Sequence, residues 1–302
     1  MQQAFLEING VKTNVLTYGK WVEESFKPSE PKDIVLVIPG NPGLTGFYKM
    51  FMHTLNEKTG FPVWCVAHAG HEIPKKNPLF SIQRLKGNEG LFGLRGQVEH
   101  KLDFIKKYVP EGARLHLVGH SIGSYMILEL LKEELVREKV VDVKLLFPTF
   151  EYMAETANGK FLNFVKPFIW LIVFLSWIYT LLPSILSNFL MYIYMEINSI
   201  PKMHFRVLVQ LVEPSILQKV FFLAYEELEF VKERNASLIK ENCNKIKFLY
   251  GHKDGWAPPA YRDSLKKDIP EANTEMSQFD HTFVLKQSRE VGSIVADWIV
   301  AN

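Results

Sequence analysis

Residues 115–123 read Leu115-His116-Leu117-Val118-Gly119-His120-Ser121-Ile122-Gly123. An apolar, strand-like run over 115–118 ends in a Gly-x-Ser-x-Gly string, and a helix-like run begins near Ser124. A serine at the tip of a tight strand-to-helix turn needs small residues two positions to either side, because a Cβ there would collide with the crossing backbone. The helix that follows aims its first N–H groups at developing negative charge. Ser121 is therefore the candidate nucleophile, with Gly119, His120 and Gly123 completing the elbow. The string alone arises by chance in roughly one chain in ten of this length, with Gly and Ser each at about 7% of residues. Its flanks and the rest of the chain carry the reading.

Upstream, the β-branched run Ile34-Val35-Leu36-Val37-Ile38 is of the type buried on both faces in a parallel sheet, and it ends in the turn Pro39-Gly40-Asn41-Pro42-Gly43. A helix over 47–58, a buried strand over 63–67 and a loop rich in Gly, His and Pro as far as Pro78 follow. Apolar residues at helical spacing over 94–109 put Leu102, Ile105 and Val109 on one stripe, stopped by Pro110. Downstream of the elbow come a helix to about Arg137 and a strand over 143–147. After a long interruption the pattern resumes as a strand over 246–250, a helix over 259–267, a short strand over 274–279 and a terminal helix over 288–300. Strands and helices alternating in this way imply an α/β fold of right-handed βαβ units, with a mostly parallel, doubly wound sheet. A single domain over 1–302 is expected, with an insertion over 150–243.

At 302 residues the chain can bury a large core. A net charge of +2 from interspersed acids and bases leaves no basic stripe, so nucleic acid is not an expected partner. Cys65 and Cys243 are the two cysteines, and Cys65 sits in an apolar run where a buried, reduced thiol is the ordinary state, which points to a cytosol-facing location. Residues 1–18 alternate polar and apolar around Asn9-Gly10, as a β-hairpin does and a signal peptide does not.

A serine hydroxyl is a poor nucleophile at neutral pH and needs a base in hydrogen-bond reach, usually a histidine oriented by a carboxylate. In doubly wound hydrolases the acid and then the histidine follow the serine along the chain. Tyr250-Gly251-His252-Lys253-Asp254 places Asp254 on the loop after a buried strand, and Phe279-Asp280-His281-Thr282-Phe283 places His281 on the next such loop. Asp254 is the candidate acid and His281 the candidate base; His252 and Asp142 are the competing assignments, and Asp254 could merely cap the helix near Pro259. His120 is better suited to lining the pocket or shielding the serine, and Asp280 is too close in sequence to His281 to meet its Nδ1 in plane. A tetrahedral intermediate also needs two N–H donors. Ile122, after the nucleophile, is one; in the 40–43 turn Pro42 has no N–H, which leaves Asn41 as the other. No cofactor or metal is implied, since the histidines lack metal-binding spacing such as His-Glu-x-x-His.

The segments Ile38-Pro39-Gly40-Asn41-Pro42-Gly43, Gly119-His120-Ser121-Ile122-Gly123, Leu145-Leu146-Phe147-Pro148-Thr149 and Tyr250-Gly251-His252-Lys253-Asp254 together resemble the lipid droplet-associated hydrolases, a branch of the α/β-hydrolase superfamily. The similarity runs over essentially the whole chain, with Pro39 standing where many hydrolases have a histidine before the oxyanion glycine. It implies a serine hydrolase with the triad Ser121, Asp254 and His281, located on lipid droplets and the cytosolic face of the endoplasmic reticulum, acting on sterol esters or other neutral-lipid esters. Thioesterase or acyltransferase chemistry on the same scaffold, and a slow or non-catalytic lipid-surface protein, are the alternatives.

From Pro167 to Met195 there is no charged residue. The stretch is long enough for a membrane span of about 20 residues. A single span would put Ser121 on one side of the bilayer and Asp254 with His281 on the other. The expectation is therefore two short helices over 167–195 broken at Pro183, forming a hydrophobic hairpin or lid. Phe168, Trp170, Phe174, Trp177, Tyr179, Phe189 and Tyr192 would meet a lipid monolayer, with Lys160, Lys166, Lys202 and Arg206 flanking them near anionic headgroups. A buried lid or a dimer contact is the competing use.

Overall fold

In a computed structural model, which describes residues 1–27, 32–74 and 83–301, the apolar runs form one eight-stranded sheet. The strands are β1 (Gln2–Ile8), β2 (Val11–Tyr18), β3 (Asp33–Ile38), β4 (Val63–Val66), β5 (Arg114–His120), β6 (Val140–Leu146), β7 (Ile246–Gly251) and β8 (Asn273–Ser277). Their spatial order is β1-β2-β4-β3-β5-β6-β7-β8, with β1 and β2 antiparallel to their neighbours and the rest parallel. The β1–β2 turn is Asn9-Gly10, both at positive φ (45° and 70°), the conformation a two-residue hairpin demands and Asn-Gly supplies.

Alternation sorts the continuous apolar runs onto two faces. In β3, Ile34, Leu36 and Ile38 join one core, with Leu115 and Leu117 of β5, while Val35 and Val37 join the other, with Val118. Helices Leu94–Tyr108 and Ile122–Leu130 pack together beside the first core; Lys49–Thr59 and Ser288–Val300 pack together over the second. The chain leaves β3 to build β4 on one side and returns to build β5 on the other. That reversal is the topological switch point, and it opens a crevice at the carboxyl ends of β3 and β5.

Several boundaries differ from the expected ones. The helix after the elbow begins at Ile122 and stops at Leu130, and a second, Glu134–Lys139, restarts beyond it. Lys132 and Glu133 are exposed and give no apolar face to bury, so the chain turns and resumes where Val136 can enter the core. The helix expected over 47–58 opens as a 3₁₀ turn, Thr45–Tyr48, before Lys49–Thr59. β6 starts at Val140 because its pairing with β5 begins at Leu115. The last part of the loop expected up to Pro78 lies outside the described residues.

Between β6 and β7 the chain builds a helical cap: Ala157–Val165, Ile169–Leu181, Ser184–Ile197, Phe205–Leu211, Pro214–Phe230 and Ala236–Glu241. Pro167 lies in a 3₁₀ turn that continues the preceding helix, so the apolar helix is longer than expected, Ala157–Leu181, 25 residues. The break falls at Leu182-Pro183, with Pro183 opening the next helix. Tyr179 Oη donates to the Ser187 carbonyl across the break, at 2.9 Å. β6 and β7 are paired neighbours (Val143↔Ile246), so the cap leaves and re-enters the sheet side by side.

At the opposite end of the sheet His116 is buried between two carboxylates, with Nδ1 2.8 Å from Asp142 and Nε2 2.9 Å from Asp33. Burial disfavours the imidazolium, but the bonds and charges of Asp142 and Asp33 outweigh it and hold the His116 pKa above its usual value. A raised folded-state pKa stabilises fully below the unfolded value of about 6.5, and that contribution is lost as pH rises through the folded one. His116→Gln should therefore cost about 3 to 5 kcal/mol in acid and less above neutrality. Denaturant midpoints of both proteins across pH 5 to about 9 measure that difference; a constant gap would overturn the assignment.

Candidate active site

The elbow is built by exclusion of side chains. Ser121 takes φ 52° and ψ −124°, a strained conformation for a residue with a Cβ. A Cβ on Gly123 would come within 2.2 Å of the Ile38 carbonyl oxygen, and one on Gly119 within 2.9 Å of the Gly123 backbone. Both positions must be glycine for the helix to cross against β3 and β5. The strain is held by Ser121 N–H donating to the Leu146 carbonyl (3.0 Å) and Thr149 N–H donating to the Ser121 carbonyl (3.3 Å).

Three of the expected residues meet in one hydrogen-bonded line. His281 Nε2 lies 2.9 Å from Ser121 Oγ, and its Nδ1 lies 2.8 Å from Asp254 Oδ2. Asp254 Oδ1 accepts from the backbone N–H of Trp256 (2.8 Å) and Ala257 (3.0 Å), so the loop after β7 closes on its own carboxylate. Burial pushes this carboxyl up, but the bond and charge of His281 and the two N–H donors more than offset it, and its pKa is held below the usual carboxylate value. An ionised, buried carboxylate against Nδ1 leaves Nε2 able to accept the hydroxyl proton of Ser121.

The competing candidates lie elsewhere. His252 is exposed, and its backbone is tied to Ser277. Asp142 is engaged by His116, which precedes Ser121 by five positions along β5 and the turn after it, roughly 16 Å at ~3.3 Å per residue. Asp280 is exposed. His120 lines the cavity, with Nε2 2.9 Å from the His281 carbonyl and Nδ1 2.6 Å from Tyr48 Oη. Burial, and then the charge of His281, push the His120 pKa down to about 3, so the ring is neutral. Its Nε2 must donate to that carbonyl, and Nδ1 must accept from Tyr48, whose oxygen in turn accepts from Gly40 N–H at 2.8 Å. This relay ties the 39–43 turn to the backbone of His281. Nothing in the sequence marked Tyr48. Thr149, with Oγ1 3.4 Å from Ser121 Oγ, carried a signal in being polar and just past a strand's carboxyl end.

Asn41 sits in the turn facing the elbow, where a Cβ on Gly40 would come within 2.8 Å of Ser121 Cβ. Its amide Nδ2 donates to the Val220 carbonyl and to Glu227 Oε1, both at 3.0 Å, so the cap helix Pro214–Phe230 grips the turn. Ile122 opens its helix, where an N–H has no intrahelical acceptor. Asn41, Ser121, His120 and His281 floor a cavity of about 410 Å³. Its walls are apolar and come largely from the cap: Leu208, Leu211, Leu217, Val220, Phe221 and Ala224. Among the described residues no cluster of three or more metal-ligating side chains is present.

Residues 31–284 match the family model described as lipid-droplet associated hydrolase. The chain belongs to that family. It is 41% identical to the lipid droplet-associated hydrolase of Drosophila melanogaster, over 99% of this chain and 98% of that one, and 32% identical to the Homo sapiens relative of the same name, over 98% and 94%. Among solved structures it is similar to the thioesterase domain of the curacin biosynthetic pathway (TM-score 0.66, 14% identity, 98% and 99% of the two chains). A laboratory-evolved variant of potato epoxide hydrolase is similar too (TM-score 0.64, 13% identity, 100% and 99%). At such identities the likeness shows the fold alone, which is the α/β-hydrolase fold. Family membership and fold place this member of the lipid-droplet associated hydrolases among hydrolases.

Proposed function

We propose that this hydrolase cleaves neutral-lipid esters, sterol esters included, by an acyl-enzyme mechanism at the surface of lipid droplets and the cytosolic face of the endoplasmic reticulum. The hydrogen-bonded line Ser121–His281–Asp254 at the floor of an apolar cavity carries the reading. Ser121 Oγ attacks the ester carbonyl while His281 Nε2 takes its proton, and Asp254 fixes the tautomer and stabilises the imidazolium. The developing oxyanion is held by the backbone N–H groups of Ile122 and Asn41. His281 then returns the proton to the leaving alcohol, and water, deprotonated by the same nitrogen, releases the acid. A fluorophosphonate probe should label Ser121 covalently, and labelling at another residue, or none, would remove the mechanism.

Docking on lipid is supported by the cap's outer face, where large apolar side chains stand in solvent: Phe164 is 71% exposed, Trp170 69% and Ile185 85%. Phe168, Phe174, Trp177 and Phe189 are exposed beside them, and Tyr192, stacked on Phe205, and Tyr179 are partly engaged with protein. Lys160, Lys166, Lys202 and Arg206 are exposed on the same cap. Ala157–Leu181 is long and apolar enough to cross a bilayer (mean hydropathy 1.8). A second crossing would be needed to bring the chain back to β7, and Ser184–Ile197, at 14 residues and ~1.5 Å per residue, is too short for a ~30 Å core. Met191 and Met195 of that helix are also buried in the protein core. A monotopic attachment, with the helices lying in one leaflet, satisfies all three observations. Deleting the segment would strip core residues, so substitution is the cleaner test. Phe164→Glu/Trp170→Glu/Ile185→Glu should weaken binding to phospholipid-coated triolein droplets by about a thousandfold, since each side chain contributes ~1.5 kcal/mol or more when buried in lipid. Flotation measures it, and binding unchanged by the triple substitution would refute docking through this face.

A further inference from the structure

Among the described residues Glu227 is the one acidic side chain lining the cavity, and it comes from the cap. It is 4% exposed, and its neighbours on that wall, Val220, Phe221 and Ala224, are apolar. The titratable groups lining the same cavity from other elements are His120 and His281 of the core, Tyr48 of the 3₁₀ turn and Tyr194 of the cap; among the described residues no lysine or arginine lines it.

The bonding around Asn41 fixes which Glu227 oxygen is left to carry a proton. The Val220 carbonyl can only accept, so the Asn41 amide must turn its Nδ2 toward the cap helix. The same Nδ2 lies 3.0 Å from Glu227 Oε1, which is therefore an acceptor. Burial, outweighing the bond from Asn41, pushes the Glu227 pKa up to about 8, so the carboxyl is neutral at pH 7. With Oε1 accepting, the proton belongs on Oε2. Among the described residues that oxygen has no hydrogen-bond partner, and the Glu227 side chain lines the cavity. A buried O–H in an otherwise apolar wall is costly unless a ligand completes it.

We infer that Glu227 presents a hydroxyl donor to a second oxygen function of the substrate, beyond the scissile ester, so that the site selects esters of polyols, such as acylglycerols, over esters of monohydric alcohols. This rests on the serine-hydrolase reading above and narrows it. Sterol esters carry no such oxygen on the ring system; a partly acylated glycerol carries hydroxyls on the carbons next to the scissile bond. A donor that stays unpaired when an apolar alcohol fills the cavity works against that alcohol.

The test compares 1-oleoylglycerol with propyl oleate in detergent micelles; the two share acyl chain and carbon skeleton and differ by the two free hydroxyls. Wild type should favour the glycerol ester in kcat/KM by on the order of tenfold or more, the value of one well-made hydrogen bond in a dry site. Glu227→Leu removes the donor and also a partner of Asn41, so both rates fall; the quantity read is their ratio, which should collapse toward one. Glu227→Gln keeps an acceptor for Asn41 and an N–H donor for the cavity, and should keep the preference. A wild-type ratio near one, or a ratio unchanged in the Leu variant, overturns the assignment, as does turnover of neither ester by a protein whose Ser121 still labels with fluorophosphonate. Failure to label wild type at all would instead strike the underlying hydrolase reading.

Discussion

Ser121→Ala should reduce ester turnover by about a millionfold, the loss typical when the nucleophile of a serine hydrolase is removed. The size follows from what the residue does in the proposed mechanism: it supplies the bond that splits hydrolysis into two easier steps, and nothing else in the site can form it. Thr149 Oγ1, 3.4 Å from Ser121 Oγ, has no bond to His281 and cannot substitute as nucleophile. Alanine fills the same strained backbone position with the same Cβ, so the fold should hold and the melting temperature should stay within a few degrees. Residual hydrolysis then measures what the oxyanion donors and cavity contribute alone, typically 10³- to 10⁴-fold over water. Turnover of the purified variant on a dispersed lipid ester, at matched melting temperature, decides the matter. Equal activity in both proteins would assign any observed hydrolysis to something other than this triad.

The parts of this arrangement differ in how visible they were in the amino-acid order. β3 and β5 announce themselves because strands buried on both faces are mostly apolar: 34–38 is apolar throughout, and 115–118 is interrupted by His116 alone, which is buried between Asp33 and Asp142. Once strands and helices alternate, the carboxyl-end loops are fixed, and Ser121, Asp254 and His281 fall on three of them by chain order alone. The break at Pro183 is equally local, a property of one residue's missing N–H and locked φ. Glu227 was not legible. It sits in Glu226-Glu227-Leu228-Glu229, which reads as a solvated helix face, and its partner Asn41 is 186 positions away. Neighbouring Glu226 does bond backbone, at Leu94 N–H, which shows how little the local run says about which acid turns inward. Tyr48 was hidden in the same way, because its bonds to Gly40 and His120 exist only after the sheet has brought the turn and the elbow together. Contacts of that kind depend on the closing of the fold, and no period of residues encodes them.

Asp254→Asn is expected to cost about 10⁴-fold in kcat with little change in stability, and the reason lies in which way the amide must face. Asp254 Oδ1 accepts two backbone N–H groups, from Trp256 and Ala257, in a loop that leaves no other acceptor for them. An asparagine there must put its oxygen at that position, because turning its NH₂ toward two donors would leave all three groups unpaired and buried. The NH₂ is then forced against His281 Nδ1, where Oδ2 stood at 2.8 Å. Facing a donor, Nδ1 has to accept, and the ring proton moves to Nε2. The imidazole now donates to Ser121 Oγ, so the atom that should take the hydroxyl proton already holds one. Geometry and fold survive while the base is lost. Imidazole nitrogen shifts in ¹⁵N-labelled protein would report the tautomer directly, and single-turnover acylation would report the rate. If kcat fell and Nδ1 stayed protonated, the tautomer argument would be wrong. Asp254→Ala gives the contrasting case. It also abandons the two N–H groups, and it should lower stability by about 1 to 3 kcal/mol in addition to the rate.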